Sequence, residues 1–122
     1  MPLALVTGPT AGIGRAFCDA LAARGHDLVL VSRDEAKLEQ IASQISLAHG
    51  VRTEPLAADL ADLEQTQRVE TRLRDQHFDL LVNNAGFGLQ RPFAVNDIEA
   101  EQRALDVMVR AVMRLTHAAI GP

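Results

Sequence analysis

The stretch "LVTGPTAGIGRAF", positions 5–17, sets Gly8, Gly12 and Gly14 between an apolar run and a segment of helical periodicity. Glycines at that spacing suit a phosphate cradle. They permit a tight turn, let backbone approach a pyrophosphate and let a helix pack closely on a strand, while the helix N-terminus offers free N–H groups and the positive end of its dipole. Glycine triplets occur in many turns, so the weight comes from context: a loop between an expected strand and an expected helix at the start of a βαβ unit. Gly14→Val is expected to abolish binding by blocking backbone approach, with the fold retained.

The other conspicuous residues suggest no reactive set. His26, His49 and His77 fall near helix ends and His117 in the last helix, without the spacing of a metal site. Ser32, Ser43 and Ser46 lie on or at the start of a polar helix rather than on a nucleophile turn. Arg68, Arg72 and Arg74 alternate with Glu64, Glu70 and Asp75, which describes a solvated mixed-charge helix face rather than a nucleic-acid stripe. The single cysteine, Cys18, sits at helical spacing among apolar residues and is expected to be a small core side chain.

Positioning the glycine loop requires a sheet. Segments 3–7, 27–32, 51–57 and 79–83 have strand length, and the first, second and fourth are nearly continuously apolar, as parallel strands buried on both faces are. Between them, Ile13, Phe17, Ala20 and Leu21 form one helical stripe ending at Gly25; Leu38, Ile41, Ala42 and Ile45 form another ending at Gly50. Ser32 with Glu35, and Asn96 with Glu99, have capping-box spacing. A third helix, 62–76, is polar apart from Leu63, Val69 and Leu73 and is expected to lie exposed. The last, 97–119, is the most apolar and carries Ile98, Leu105, Met108, Val109, Val112 and Leu115. Strand–helix alternation of this kind predicts an α/β fold: a doubly wound parallel sheet, Rossmann-like, with four strands in the order 3-2-1-4, helices on both faces and right-handed crossovers. The irregular stretch "GFGLQRPFAV", 86–95, would follow the fourth strand at the carboxyl edge of the sheet, where ligands bind in such folds.

The chain has 122 residues, 48% hydrophobic and 23% charged, which predicts one domain over 1–122. A net charge of -4 gives no electrostatic reason to expect nucleic acid or an anionic membrane as partner. No stretch is apolar for the length of a membrane span and no secretory leader is evident, so with one unpaired cysteine the expected location is cytoplasmic.

"TGPTAGIG" at 7–14, "DL" at 59–60 and "NNAG" at 83–86 resemble, in order and separation, the motifs of the short-chain dehydrogenase/reductase family, and the resemblance runs along the whole chain. It implies that Gly8, Gly12, Ile13 and Gly14 contact phosphates, that Asp59 and Leu60 flank adenine, and that Asn84, Ala85 and Gly86 lie along a ribose. Thr7, Thr10 and Asn83, within the same motifs, join the expected cofactor-binding set. The plainer alternatives are that Asp59 is a cap and that Asn83 and Asn84 are turn formers. At the end of the second strand, "VLVSRDE", an NAD site needs a carboxylate for the ribose hydroxyls, whereas a 2′-phosphate needs that carboxylate to be absent and an arginine to be near. Ser32 occupies the acidic position and Arg33 follows it; hydroxyl and guanidinium suit a phosphate monoester, so NADP(H) is favoured. NAD(H) is the alternative, with Arg33 a solvated helix-start charge and Asp34 the ribose carboxylate if the register slips by two.

Hydride transfer in this family uses a tyrosine as acid/base, a lysine four residues on that lowers its pKa, and a serine on the substrate carbonyl. A phenol near pKa 10 is a poor base until a neighbouring cation stabilises the phenolate. The chain has no tyrosine, and its one lysine, Lys37, falls in the first turn of the helix after the second strand. Catalytic residues are therefore expected to be absent, and the resemblance is to the N-terminal, cofactor-binding half of an enzyme that moves hydride between NADPH and a carbonyl or alcohol. Alone, the chain is expected to be inactive; the alternative is a noncatalytic nucleotide-binding or protein-interaction module. Met108 stands where the family pattern puts an asparagine that kinks the last helix and holds a relay water, which methionine cannot do. The fourth strand would be an open edge and the last helix would lack neighbours for its apolar face, so self-association is expected, with a clean monomer in sedimentation counting against it.

Overall fold

The structure, a computed structural model, describes residues 2–10, 12–87, 89 and 91–121; Gly88 and Gln90 of the 86–95 stretch and Ala11 of the glycine loop lie outside the described residues. Strands β1 (Leu3–Thr7), β2 (Asp27–Ser32), β3 (Thr53–Ala57) and β4 (Leu80–Val82) form one parallel sheet in the order β3-β2-β1-β4. This is the expected 3-2-1-4 Rossmann-like arrangement. The third strand starts two residues later than expected, at Thr53, because Arg52 N donates to Asp27 Oδ1 at 2.9 Å instead of to a ladder carbonyl.

Side chains alternate across the sheet with period two, and each parity finds its own core. Ala4, Val6, Leu28 and Leu30 pack on one face under α1 (Gly12–Ala23) and α2 (Glu35–His49). Leu5, Val29 and Val31 face the other way, under α3 (Leu63–Asp75) and the last helix of the chain, α5 (Ala111–Ile120). Strands buried on both faces read as continuous apolar runs for this reason. The Cys18 thiol is fully buried in the first core, which pushes its pKa up to about 12, in keeping with a small core side chain.

Several expected details are corrected. The buried face of α1 is Gly14, Cys18, Leu21 and Ala22, not the stripe through Ile13, Phe17 and Ala20, which are exposed. Small residues at i, i+4 and i+8 let the helix settle onto β1, and its bulky residues turn outward. Neither capping box forms. Asp34, not Ser32, caps α2, its carboxylate accepting from Lys37 N at 3.1 Å; Asn96 instead donates to Arg91 O and Glu101 Oε1, and the helix behind it, α4 (Ile98–Leu105), starts from Asp97.

Helix α3 is not simply an exposed polar helix. It buries Thr66, Val69, Glu70 and Leu73 against α5. Glu70, expected in a solvated charge face, is 2% exposed. It accepts from Arg114 Nε of α5 at 2.7 Å and from Arg74 Nη2 at 3.3 Å, so the burial of its charge is matched by two guanidinium groups.

The last helix is also not continuous. Between α4 and α5 the residues Asp106–Arg110 make a π-helical turn, which advances the phase by one residue. The inward line becomes Ala104, Val107, Ala111, Leu115 and Ala118, while Ile98, Leu105, Met108 and Val109, expected on the packed face, are exposed. Among the described residues no helix is long and apolar enough to cross a membrane, and no group of histidine, cysteine and acidic side chains could hold a metal ion.

Candidate functional site

All four strands run the same way, so their carboxyl ends share one edge. Connections leave β1 toward β2 on one side and arrive at β4 on the other, which makes the β1/β4 boundary the switch point where a doubly wound sheet opens a crevice. A cleft of about 230 Å³ lies along this edge. Every strand end contributes: Gly8 and Thr10 after β1, Val31, Ser32 and Arg33 at β2, Ala58, Asp59 and Leu60 after β3, and Ala85, Gly86 and Phe87 after β4. Arg103 of α4 and Val107 of the π turn close its outer wall.

Thus eight residues named from the sequence meet on one wall: Gly8, Thr10, Ser32, Arg33, Asp59, Leu60, Ala85 and Gly86. The other six lie behind it or beside it. Thr7 is buried, and its hydroxyl accepts from Asn84 N and Ala85 N, both at 2.9 Å. Asn84 Nδ2 donates to Gly8 O at 3.0 Å, so the glycine loop and the "NNAG" segment are tied to each other. Asn83 turns away, donating to Thr116 Oγ1 of α5 at 3.2 Å. Ile13 is exposed on the outer face of α1.

Gly14 and Gly12 divide the labour of the loop in a way the spacing alone does not reveal. A Cβ on Gly14 would stand 1.8 Å from Gly8 O and 2.4 Å from Asn84 Nδ2. That glycine permits contact between helix and loop backbone, and the expectation that Gly14→Val spares the fold is corrected: no side chain fits there. Gly12 has φ +59° and open space where a Cβ would project. It opens α1, whose first turn carries no acidic residue to compete with an anion for the helix dipole. An open loop backbone, a helix N-terminus and a cleft continuing past an arginine to a carboxylate fit the phosphates, ribose and base of a dinucleotide.

The electrostatics grade along the cleft. Ser32 and Arg33 stand at one end of the β2 edge, and Asp59 at the β3 edge. Partial burial pushes the Asp59 pKa up, but its bonds to Ala61 N and Arg103 and the charges of Arg103 and Arg33 outweigh this and hold it below the usual carboxylate range. Arg103, Val107, Val31, Ala58 and Phe87 were not named as site residues. Phe87 falls in the 86–95 stretch expected to wall the site, and Val31 and Ala58 flank named residues. Arg103 and Val107, four apart on one helix face, carry no local signal that they reach back to the β3 edge. Lys37, exposed in the first turn of α2, is not among the cleft residues.

The family model for short chain dehydrogenase matches residues 2–121. Over 107 residues the chain is 36% identical to a very-long-chain 3-oxoacyl-CoA reductase of Anas platyrhynchos, covering 87% of this chain and 34% of that protein. It is 40% identical over 84 residues to hydroxysteroid dehydrogenase-like protein 1 of Gallus gallus, covering 68% and 25%. Among solved structures, a short-chain dehydrogenase from Sphingobium yanoikuyae in complex with NADPH superposes with a TM-score of 0.94 at 37% identity, over 98% of this chain and 47% of that one. The L-sorbose reductase of Gluconobacter frateurii, complexed with NADPH and L-sorbose, gives a TM-score of 0.89 at 31% identity, over 98% and 46%. The chain spans about a third of the length of the first of these relatives and about half of the solved chains. With its sheet order, its glycine loop on the crevice and a family match along nearly its whole length, the chain belongs to the short-chain dehydrogenase family.

Proposed function

We infer that this chain is the NADP(H)-binding portion of an oxidoreductase that moves hydride between NADPH and a carbonyl or alcohol substrate, and that by itself it binds the dinucleotide without turning substrate over. The observation that supports this reading is the cleft wall, where the Gly8 loop, Ser32 with Arg33, and Asp59 follow one another at the ends of β1, β2 and β3, an order compatible with pyrophosphate, adenosine ribose and adenine. NADPH in the Sphingobium and Gluconobacter complexes supports a nicotinamide dinucleotide. The substrates in the relatives' names, a 3-oxoacyl-CoA and L-sorbose, support a carbonyl as the reacting group. No tyrosine is present to act as proton donor, so the predicted turnover of the isolated chain is nil.

Asp34 bears on the choice of cofactor. If it bound the ribose hydroxyls, NAD(H) would be preferred, but its carboxylate caps α2 through Lys37 N and it does not line the cleft. Ser32 does line it, and with Arg33 exposed beside it the pair suits a 2′-phosphate. Titration by nicotinamide fluorescence tests this. The expected result is NADPH binding about tenfold or more tighter than NADH, the scale of a charge-assisted contact. Equal affinities would remove the 2′-phosphate assignment, and binding of neither would remove the cofactor reading. Gly12→Val should weaken both dinucleotides about tenfold or more by filling the open side of the loop, while the left-handed backbone costs ~1–2 kcal/mol of stability.

The face formed by Leu105, Met108, Val109 and Met113, with Leu80 on the open β4 edge, supports self-association of two copies. Sedimentation at micromolar concentration is predicted to give a dimer or larger species; a clean monomer would sink the idea.

A further inference from the structure

The ion pair between Arg103 and Asp59 joins α4 to the loop after β3 at the cleft wall. Arg103 Nη2 stands 3.0 Å from both Asp59 oxygens. Asp59 Oδ1 accepts a second bond from Ala61 N at 3.0 Å, and the Asp59 backbone N–H is taken by Gln65 Oε1 at 2.8 Å. Among the described residues Oδ1 thus has two donors, whereas Oδ2 has Arg103 alone and retains acceptor capacity. Both side chains line the cleft and are about a third exposed, 36% for Arg103 and 28% for Asp59. A pair this exposed adds little to stability. Its consequence is geometric: with Ala61 N alone, the carboxylate could pivot about Oδ1, and Arg103 removes that freedom.

We propose that Arg103 is a positioning residue that fixes the Asp59 carboxylate as an acceptor for a 6-amino purine, so that the cleft selects adenine over a 6-oxo base. The proposal rests on the dinucleotide reading above and assigns its base specificity to a helix residue outside the sequence motifs. An ionised carboxylate has no proton to donate. It accepts from an exocyclic amine, while a 6-oxo group at the same place would set acceptor against acceptor with both desolvated, the kind of mismatch by which a hydrogen-bonding site rejects an analogue. Arg33, which also lines the cleft at the neighbouring end of β2, adds a weaker electrostatic pull in the same direction as Arg103 and helps keep the carboxylate ionised.

The test compares NADPH with its hypoxanthine counterpart, in which a 6-oxo group replaces the amine, by fluorescence titration of the whole chain. The wild-type protein is expected to bind NADPH about tenfold more tightly. Arg103→Leu should weaken NADPH about fivefold to tenfold and the hypoxanthine form less than about twofold, so that the preference falls toward one. Loss of affinity for both ligands in equal measure would mean that Arg103 only docks α4, and an unchanged preference would mean that it does nothing for the base; either overturns the proposal. Should Arg103→Leu not fold, Arg103→Gln carries the test: its amide is expected to give an intermediate preference, and a wild-type preference overturns the assignment. Asp59→Asn can turn an N–H toward a 6-oxo group and should bring the preference to one or below. If instead Asp59→Asn keeps the wild-type preference, the adenine reading of this end of the cleft fails with the proposal. Binding of neither ligand by the wild type overturns the dinucleotide reading itself.

Discussion

Gly14→Ala is expected to abolish cooperative folding or to lower stability by at least about 3 kcal/mol, a large share of the ~5–15 kcal/mol a domain of this kind has in reserve. The cause is one methyl group. At 1.8 Å from Gly8 O and 2.8 Å from Gly8 C it meets backbone, not a side chain that could swing away. Relief requires α1 to lift from β1 at the turn where Gly14, Cys18, Leu21 and Ala22 face Ala4 and Val6. It also requires Asn84 to leave Gly8 O, because its Nδ2 lies 2.4 Å from the same methyl position. The lost packing and the lost loop contact therefore add. Urea unfolding followed by circular dichroism reads the effect. Gly12→Ala is the control: it faces open space and is predicted to keep most of its stability, losing ~1–2 kcal/mol for a left-handed alanine. A Gly14→Ala protein with the wild-type midpoint would mean that the helix and loop do not touch as described.

That contrast also marks how far the sequence could be read. The sheet was legible because β1 and β2 are buried on both faces, which leaves an unmistakable signal in "LALVT" and "DLVLVS". The rotation of α1 was not, because a stripe drawn through bulky residues chooses Ile13 and Phe17, while closeness to the strand favours Gly14 and Cys18. Ser32 lost the cap to Asp34 for a local reason: both can accept an N–H, and only the geometry after β2 decides between them. Glu70 and Arg103 were misread or missed because their partners, Arg114 and Asp59, sit on elements far away in the chain. "DVMVR" has no proline or glycine to announce a π turn, so the phase of everything after Arg110 was illegible in advance. Of the site, the glycine loop and the β3 and β4 ends were legible as motifs; the helix wall that faces them was not.

Thr7→Val is the second substitution with a large expected effect, about 2–3 kcal/mol of stability together with about tenfold weaker NADPH binding. Valine has nearly the same shape and suits a strand, so the loss centres on one oxygen and on the methyl that replaces it, which cannot stay 2.9 Å from two backbone nitrogens. The β1–β4 ladder ends at the pair Val6 and Val82. Beyond it the ladder stops but the two chains stay close, and the Thr7 hydroxyl takes over, accepting from Asn84 N and Ala85 N at 2.9 Å and donating to Val82 O at 3.4 Å. With Thr7 1% exposed, removing the oxygen leaves those two backbone N–H groups without their acceptor beside a dry side chain. Ala85 and Gly86 form the β4 end of the cleft wall, so their release should reach the ligand as well as the fold. Thr7→Ser restores the oxygen and is expected to recover binding and most of the stability, less a small cost for the missing methyl. Urea midpoints and NADPH titrations on the three proteins decide the matter. If Thr7→Val matches the wild type in both, the hydroxyl is not what holds the two strand ends together.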